Sequence, residues 1–312
     1  MSQTIGRVIT QVSPVAEYIS IKDTHGGRTF TWFTDKDPGT NTWTAINEDV
    51  PDSSTGEINE FIVAISRLSR YMKIDKGLAK IPHQGEELVA RELRLAGVRY
   101  GLDFTEVFFN GNQSTNTKQP QGIAALVTSQ VNNGTMPALQ LLDAGSGGGP
   151  LTLALMADLQ SRVWPEEDGC FYMNRDLNLY FQALVRDASA AGYFRIEEDR
   201  SMFGKPIQTF GGWPVRVVMR TDNYYSPIGF TESGLALSGG STASIYAVSH
   251  DPDLGAFCVA NGGIGMTIEP FVDLKINPFL QSFTMMEYAF ALGGPRSVAR
   301  LYDVQNPNGP GF

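Results

Sequence analysis

Histidine, cysteine and charge are all scarce in this chain. Three histidines (His25, His83, His250) and two cysteines (Cys170, Cys258) stand among 312 residues. They form no HExxH, no CxxC and no Cys/His cluster, which removes the common zinc sites. The two cysteines lie far apart and read as buried reduced thiols made in a reducing cytosol. There is no GxSxG elbow. The glycine run at 145–149 lacks the Gly-Lys-Ser/Thr ending of a phosphate loop and reads as a flexible connection. Glu166-Glu167-Asp168 and Glu197-Glu198-Asp199 lack the ligand spacing of a calcium loop and read as solvated turns. No metal, no cofactor and no enzyme activity is expected.

Long apolar runs are missing too. No stretch approaches the roughly 20 residues of a membrane span, and the N-terminus has no signal-peptide core. A cytosolic product without a membrane partner is expected. Charged residues make up 18% and the formal net charge is −9, which excludes a surface that grips nucleic acid all round. A local basic face remains open. Glycine is plentiful at 33 residues, which suggests many turns and much β structure.

The most informative stretch runs from Pro82 to Ile123. Val89, Leu93, Ala96, Tyr100, Phe104 and Val107 step by three or four, one apolar stripe of a helix at about 84–109. Such a helix spans roughly 39 Å. Glu87/Arg91 and Arg99/Asp103 sit at i,i+4 and add a few tenths of a kcal/mol each. Gly97 and Gly101 weaken a helix by about 1 kcal/mol each. Their spacing suggests close approach of another backbone. The helix stops at Phe108-Phe109-Asn110-Gly111-Asn112, and a polar loop leads to Pro120-Gln121-Gly122-Ile123.

Before it, residues 1–14 read as an extended arm. Thr29-Phe30-Thr31-Trp32 and Thr42-Trp43-Thr44-Ala45 alternate threonine with apolar residues, and Asp35-Lys36-Asp37-Pro38-Gly39 between them signals a turn. A two-stranded hairpin is expected, with Phe30, Trp32 and Trp43 on one face and Lys36, Asp37, Pro38 and Gly39 at the tip. Two strands with one aromatic face are marginal alone, so that face should seek a partner. Phe61–Ile65 reads as a buried strand, and Arg67 to Lys80 is basic.

After Gly122, Ala124–Gln130 reads as a short apolar strand or turn. Pro150 could open a helix over Leu151–Val163. A second helix over Asn174–Ala191 has Asn174 as N-cap and Gly192 beyond its end. Strands are expected at Ile207–Phe210, Pro214–Met219, Ser244–Ser249, Gly255–Ala260, Ile264–Val272 and Phe283–Leu292, with a break at Gly211-Gly212.

The order of these landmarks carries a resemblance. Phe108-Phe109-Asn110-Gly111-Asn112 and Gln119-Pro120-Gln121-Gly122-Ile123 are followed by Cys170-Phe171-Tyr172-Met173-Asn174, which enters a helix. Next come Phe203-Gly204-Lys205-Pro206-Ile207, Phe210-Gly211-Gly212-Trp213-Pro214-Val215 and Ser244-Ile245-Tyr246-Ala247-Val248. Gly294-Pro295-Arg296-Ser297-Val298-Ala299-Arg300-Leu301 lies near the end. Over nearly the whole chain this resembles the major capsid proteins of tailed bacteriophages.

The resemblance implies an α+β fold of the Hong Kong 97 capsid type. Residues 1–23 would be an N-terminal arm and lead-in strand, and 24–56 an extended β-hairpin loop. Residues 57–122 with 251–312 would form a peripheral domain carrying the long spine helix. Residues 123–250 would form an axial domain.

It also implies a shell protein around double-stranded DNA, assembled in the bacterial host cytoplasm into the virion. Partners would be copies of itself in pentamers and hexamers, a portal protein, a separate scaffolding protein, a possible decoration protein, and packaged DNA held without sequence specificity. Phe30, Trp32 and Trp43 would then lie over a neighbouring copy. Arg67, Arg70, Lys73, Lys76, Lys80, Arg91 and Arg94 are candidates for an inner or inter-subunit basic face. Lys36 or Lys22 could supply a lysine–asparagine cross-link. An encapsulin-like compartment and a soluble enzyme with a dispersed site stay open as alternatives.

Overall fold

Phe279–Leu292 is the strand on which half of the molecule is built. Ser282, Thr284, Met286, Tyr288 and Phe290 alternate along it and are all buried on one face. The computed structural model describes residues 8–9, 11–24, 26–37, 43–44, 46, 57–79, 84–145, 148–189, 197–200, 206–219, 226–232, 242–261, 267–273 and 278–307. Strands and helices are numbered along the described chain. Phe279–Leu292 is β14.

On one side β14 pairs antiparallel with β4 (Ser66–Asp75), from Phe279 opposite Asp75 to Tyr288 opposite Ser66. On its other side lie β11 (Ala256–Ala260), β12 (Thr267–Ile268) and β13 (Val272–Asp273). β1 (Ser20–Asp23) joins β11 in parallel and completes this six-stranded sheet.

The long helix α1 (Gln84–Asn110) covers the buried face of that sheet. Its expected stripe holds: Leu93, Ala96, Tyr100, Phe104 and Val107 are buried, and Val89 packs partly buried against them. The Tyr100 hydroxyl donates to the Thr284 carbonyl at 2.9 Å. The Phe104 ring lies 5.2 Å from Tyr288 and 5.1 Å from Phe290. Each aromatic side chain buried this way is worth about 2–3 kcal/mol.

One turn further on, Phe108 still meets Phe290 of β14 at 5.1 Å, while Phe109 reaches a second sheet. Phe109 sits 5.5 Å from Tyr172 and 5.3 Å from Tyr246. Those tyrosines belong to β6 (Gly169–Met173) and β10 (Thr242–Ser249). The second sheet is seven-stranded. Its order runs β5 (Leu141–Asp143), β15 (Val298–Gln305), β10, β6, β9 (Trp213–Val217), β8 (Pro206–Phe210) and β7 (Glu197–Arg200). Its central strands β6 and β10 are buried along their whole length.

Leu159 of α3 (Leu153–Ser161) and Phe181 of α4 (Arg175–Ser189) are buried in the core cluster on the face opposite α1. Asn174 caps α4 as expected, its Oδ1 accepting from the Leu177 amide at 2.8 Å. Gly211 and Gly212, both at positive φ, make the turn between β8 and β9.

Several expectations are corrected. The partner of β2 (Thr29–Asp37) is β3 (Glu57–Ala64), with Thr29 opposite Ala64 and Asp35 opposite Ile58. Trp43 and Thr44 lie between the strands and belong to neither. The reason is apolar content: β3 sets Val63 opposite Phe30 and Phe61 opposite Trp32, cross-strand pairs that Thr42–Ala45 cannot supply. The hairpin therefore runs past residue 56 and takes in 57–64.

Residues 124–130 are helical, within α2 (Ile123–Asn132), because Ile123 and Val127 bury at i,i+4 beneath the end of α1. α3 starts at Leu153 rather than 151, capped by Thr152, whose Oγ1 accepts from the Leu155 amide at 3.2 Å. Pro150 does not open it.

β15 was expected beside residues 57–122, yet it pairs with β10 and β5 in the seven-stranded sheet. Its residues Val298, Ala299, Leu301 and Val304 are fully buried there. Pro38, Gly39, Lys80 and Gly192 lie outside the described residues.

Candidate interaction surfaces

The aromatic face of the hairpin turns onto its own chain. Phe30 and Trp32 pack with Val63 and Ile65 against Phe257, Val259 and Ala291. The Phe257 ring meets Phe30 at 6.0 Å and Trp32 at 5.8 Å, both edge-on. The Trp32 indole donates to the Leu292 carbonyl at 3.0 Å. The inter-copy contact expected of Phe30 and Trp32 is thus an intramolecular one. Alternation leaves the opposite face apolar and open: Phe33, Ile58 and Ile62 are each about two-thirds exposed. Trp43 is fully exposed and Ile46 nearly so. Lys36 and Asp37 end β2, at the far end of the hairpin.

The basic residues do not form one patch. On β4, Arg67 and Lys73 point to the exposed face, whereas Arg70 alternates with Leu68 and Met72 on the side of α1. Arg67 is neutralised by Glu287 at 2.6 Å. Hydrogen bonds from Asn261 and Arg67 hold the Glu287 carboxyl below the usual carboxylate range. Lys76 is paired with Asp273. Arg91 and Arg94 are exposed on α1. Lys22 lies 4.3 Å over the Phe257 ring and 3.6 Å from Asp253.

A buried polar cluster, absent from the sequence reading, sits where the N-terminal segment meets the seven-stranded sheet. Arg216 of β9 is paired with Glu17 at 2.6 Å, and both side chains are largely buried. Its guanidinium stacks 4.7 Å over the Tyr18 ring and also bonds the Tyr18 hydroxyl. Beside it, the Tyr172 hydroxyl and His250 Nε2 share a 2.7 Å hydrogen bond.

Burial pushes the His250 imidazole down to about 3 and the Cys170 thiol up to about 12. Burial likewise raises Tyr246 to about 12. These shifts favour the neutral forms, as desolvation in an aromatic core dictates. One sequence signal could have exposed the cluster: Arg216 is a lone cation within the apolar strand Trp213–Val217, and such a residue needs a buried partner.

Among the described residues no three His, Cys, Asp or Glu side chains group as a metal site. A cavity of about 410 Å³ lies between the start of β4 and the end of α1, with Arg99, Asp103 and Lys118 around an apolar floor of Leu68 and Val107. A shallower groove of about 620 Å³ runs beside α2, lined by Asn110, Asn132, Asn133, Glu232 and Arg300. Neither presents the convergent nucleophile, base and donor set of a catalytic centre.

The model of the phage capsid family matches residues 1–208. The fold is similar to the encapsulin of the holo-SrpI complex from Synechococcus elongatus, at 12% identity and TM-score 0.67, covering 97% of this chain and 92% of that one. It is also similar to the capsid of an empty GTA particle, at 14% identity and TM-score 0.61, covering 94% and 90%. A Mycobacterium phage Adephagia structure is similar at 13% identity and TM-score 0.60, covering 96% and 91%. Comparison with the curated proteins yields no match.

Proposed function

This chain belongs to the phage capsid family and is a capsid shell protein of the Hong Kong 97-type fold, and from that premise we propose how its parts serve the shell. Copies of the chain form pentamers and hexamers, and these close an icosahedral shell around double-stranded DNA. The observation that carries this reading is the apolar surface of the hairpin. Phe33, Ile58, Ile62 and Trp43 give one subunit more exposed apolar area than a monomer needs, and a second copy is the partner that covers it.

In this reading the hairpin of β2 and β3 is the extended loop. The six-stranded sheet with α1 as its spine is the peripheral domain. The seven-stranded sheet, β15 included, is the axial domain around the capsomer centre. Residues 8–23 are the N-terminal arm. Arg91 and Arg94, exposed on α1, form a local basic contribution to an inner or inter-subunit face that meets DNA without reading its sequence, and Lys73 lies on the opposite face of the sheet. A portal protein and a separate scaffolding protein complete assembly in the host cytoplasm, and a decoration protein could bind the outside.

The test is deletion of residues 29–64, the whole hairpin, with a short glycine–serine linker. Negative-stain microscopy should show closed shells from the intact chain and only subunits or rings from the deletion. Closed shells from the deletion would refute the role given to the hairpin. The encapsulin likeness favours one second reading, a protein compartment without DNA. Nuclease-protected DNA inside particles recovered from lysed host cells decides between the two.

A further inference from the structure

The N-terminal segment straddles the seam between the two sheets. At Glu17 and Tyr18 it is held by Arg216 of β9, in the seven-stranded sheet. At Ser20 it already pairs with Phe257 of β11, in the six-stranded sheet. Ser20 Oγ also donates to the His250 carbonyl at 2.9 Å, at the end of β10. Any change of angle between the sheets must therefore break the Arg216 contacts or the β1–β11 ladder.

The rest of the seam is aromatic and aliphatic, with Val218, Val248 and Val298 in the same buried cluster as Phe108 and Phe109. Phe108 and Phe109 meet Tyr172 and Tyr246 edge-on or tilted, at centroid distances of 5.3–6.4 Å. The apolar burial in these contacts is non-directional, and their edge-on preference adds only about 0.5–1.5 kcal/mol per pair. Among the described contacts, the directional ones between segment and sheet are the Glu17–Arg216 ion pair, the Arg216–Tyr18 hydrogen bond and the Ser20–His250 hydrogen bond, and Arg216 makes two of the three.

The pair is poorly arranged for net stability. Glu17 Oε1 and Arg216 Nε are buried without hydrogen-bond partners. A buried pair left partly unsatisfied gains little over apolar side chains of similar volume. What such a pair can supply is selection of one arrangement over its neighbours.

We propose that the Glu17–Arg216 pair is an orientation latch, which fixes one setting of the two sheets rather than adding net stability. Its consequence for shell size rests on the capsid reading above. A uniform shell of pentamers and hexamers requires a narrow, repeatable set of subunit shapes, and subunits free to rock at the seam would close shells of mixed curvature.

The experiment compares the intact chain with Glu17→Met, Arg216→Met and the double variant. Spin labels at Ser69→Cys on β4 and Ser161→Cys on α3 report the inter-sheet distance; Cys170 and Cys258 are fully buried and stay unlabelled. Each single variant strands one buried charge and should lower Tm by about 10 °C. The double variant should stay within about 3 °C of the intact chain. Its label distance distribution should nevertheless widen at least about twofold, and its shells should vary in diameter by microscopy.

A double variant with the narrow distribution of the intact chain overturns the latch. So does a double variant that fails to fold or loses as much Tm as the singles, because the pair is then a stability element. If the intact chain expressed together with its scaffolding protein builds no shells, the shell-building role proposed above falls, and the distance distribution still decides the latch.

Discussion

Gly111 and Gly122 close the loop that ends the long helix by direct backbone contact. The Gly122 amide donates to the Gly111 carbonyl at 2.8 Å. A Cβ on either residue would stand 2.5 Å from the Val107 carbonyl, and one on Gly111 would also stand 2.5 Å from the Pro120 carbonyl. Neither backbone can yield, since the Val107 carbonyl already accepts from the Gly111 amide at 2.9 Å. Gly111→Ala and Gly122→Ala should each destabilise the subunit by about 1–3 kcal/mol, the range for forced overpacking. Chemical denaturation of dissociated subunits measures it, and an unchanged midpoint would show that the loop relaxes freely.

Gly101 fits the backbone of the N-terminal segment. A Cβ there would lie 3.2 Å from the Ile9 carbonyl and from Val12 Cβ. The neighbouring Thr105 hydroxyl donates to Ser13 Oγ at 2.7 Å. Gly101→Leu should improve the helix by close to 1 kcal/mol in propensity yet displace residues 9–13. Hydrogen exchange should then rise at residues 11–23 while α1 stays protected. Equal protection in both proteins would contradict this.

Trp32 and Trp43 should separate stability from assembly. Trp32 is packed on Phe257 and bonded to Leu292, so Trp32→Ala should lower subunit stability by about 3 kcal/mol. Trp43 is fully exposed, and Trp43→Ala should leave stability within about 0.5 kcal/mol. Its effect should fall on assembly yield, read by sedimentation of particles.

Acid sensitivity should come in part from His250. Its pKa is lowered by burial from 6.5 to about 3. Below 6.5 the unfolded chain binds a proton that the folded one refuses, so folding weakens as pH falls from 6.5 towards 3. The slope from this one group is about 1.4 kcal/mol per pH unit, and it vanishes above 6.5. His250→Gln keeps a hydrogen-bonding group towards Tyr172 and removes the titration. Its stability should be flatter between pH 6 and pH 4 by thermal denaturation, and an identical slope would clear His250.

Elements set by contacts over a few residues were legible in the chain before any tertiary contact was known. The step of three and four from Val89 to Val107 fixed α1 because one stripe must be buried whatever lies opposite. The lone Asn174 before an amphipathic run fixed the cap of α4, since capping is a contact over three residues. The order of glycine, proline and aromatic landmarks was enough to point to the capsid family.

Tertiary structure decided the rest, because the deciding contacts join residues far apart in the chain. Thr29–Asp37 could pair with either following segment, and only the apolar match with Phe61 and Val63 chose β3. Residues 298–305 could have lain beside either sheet, and burial of Val298, Leu301 and Val304 against β10 settled it. Arg216 carried a charge whose partner, Glu17, is visible only when the N-terminal segment folds across the seam.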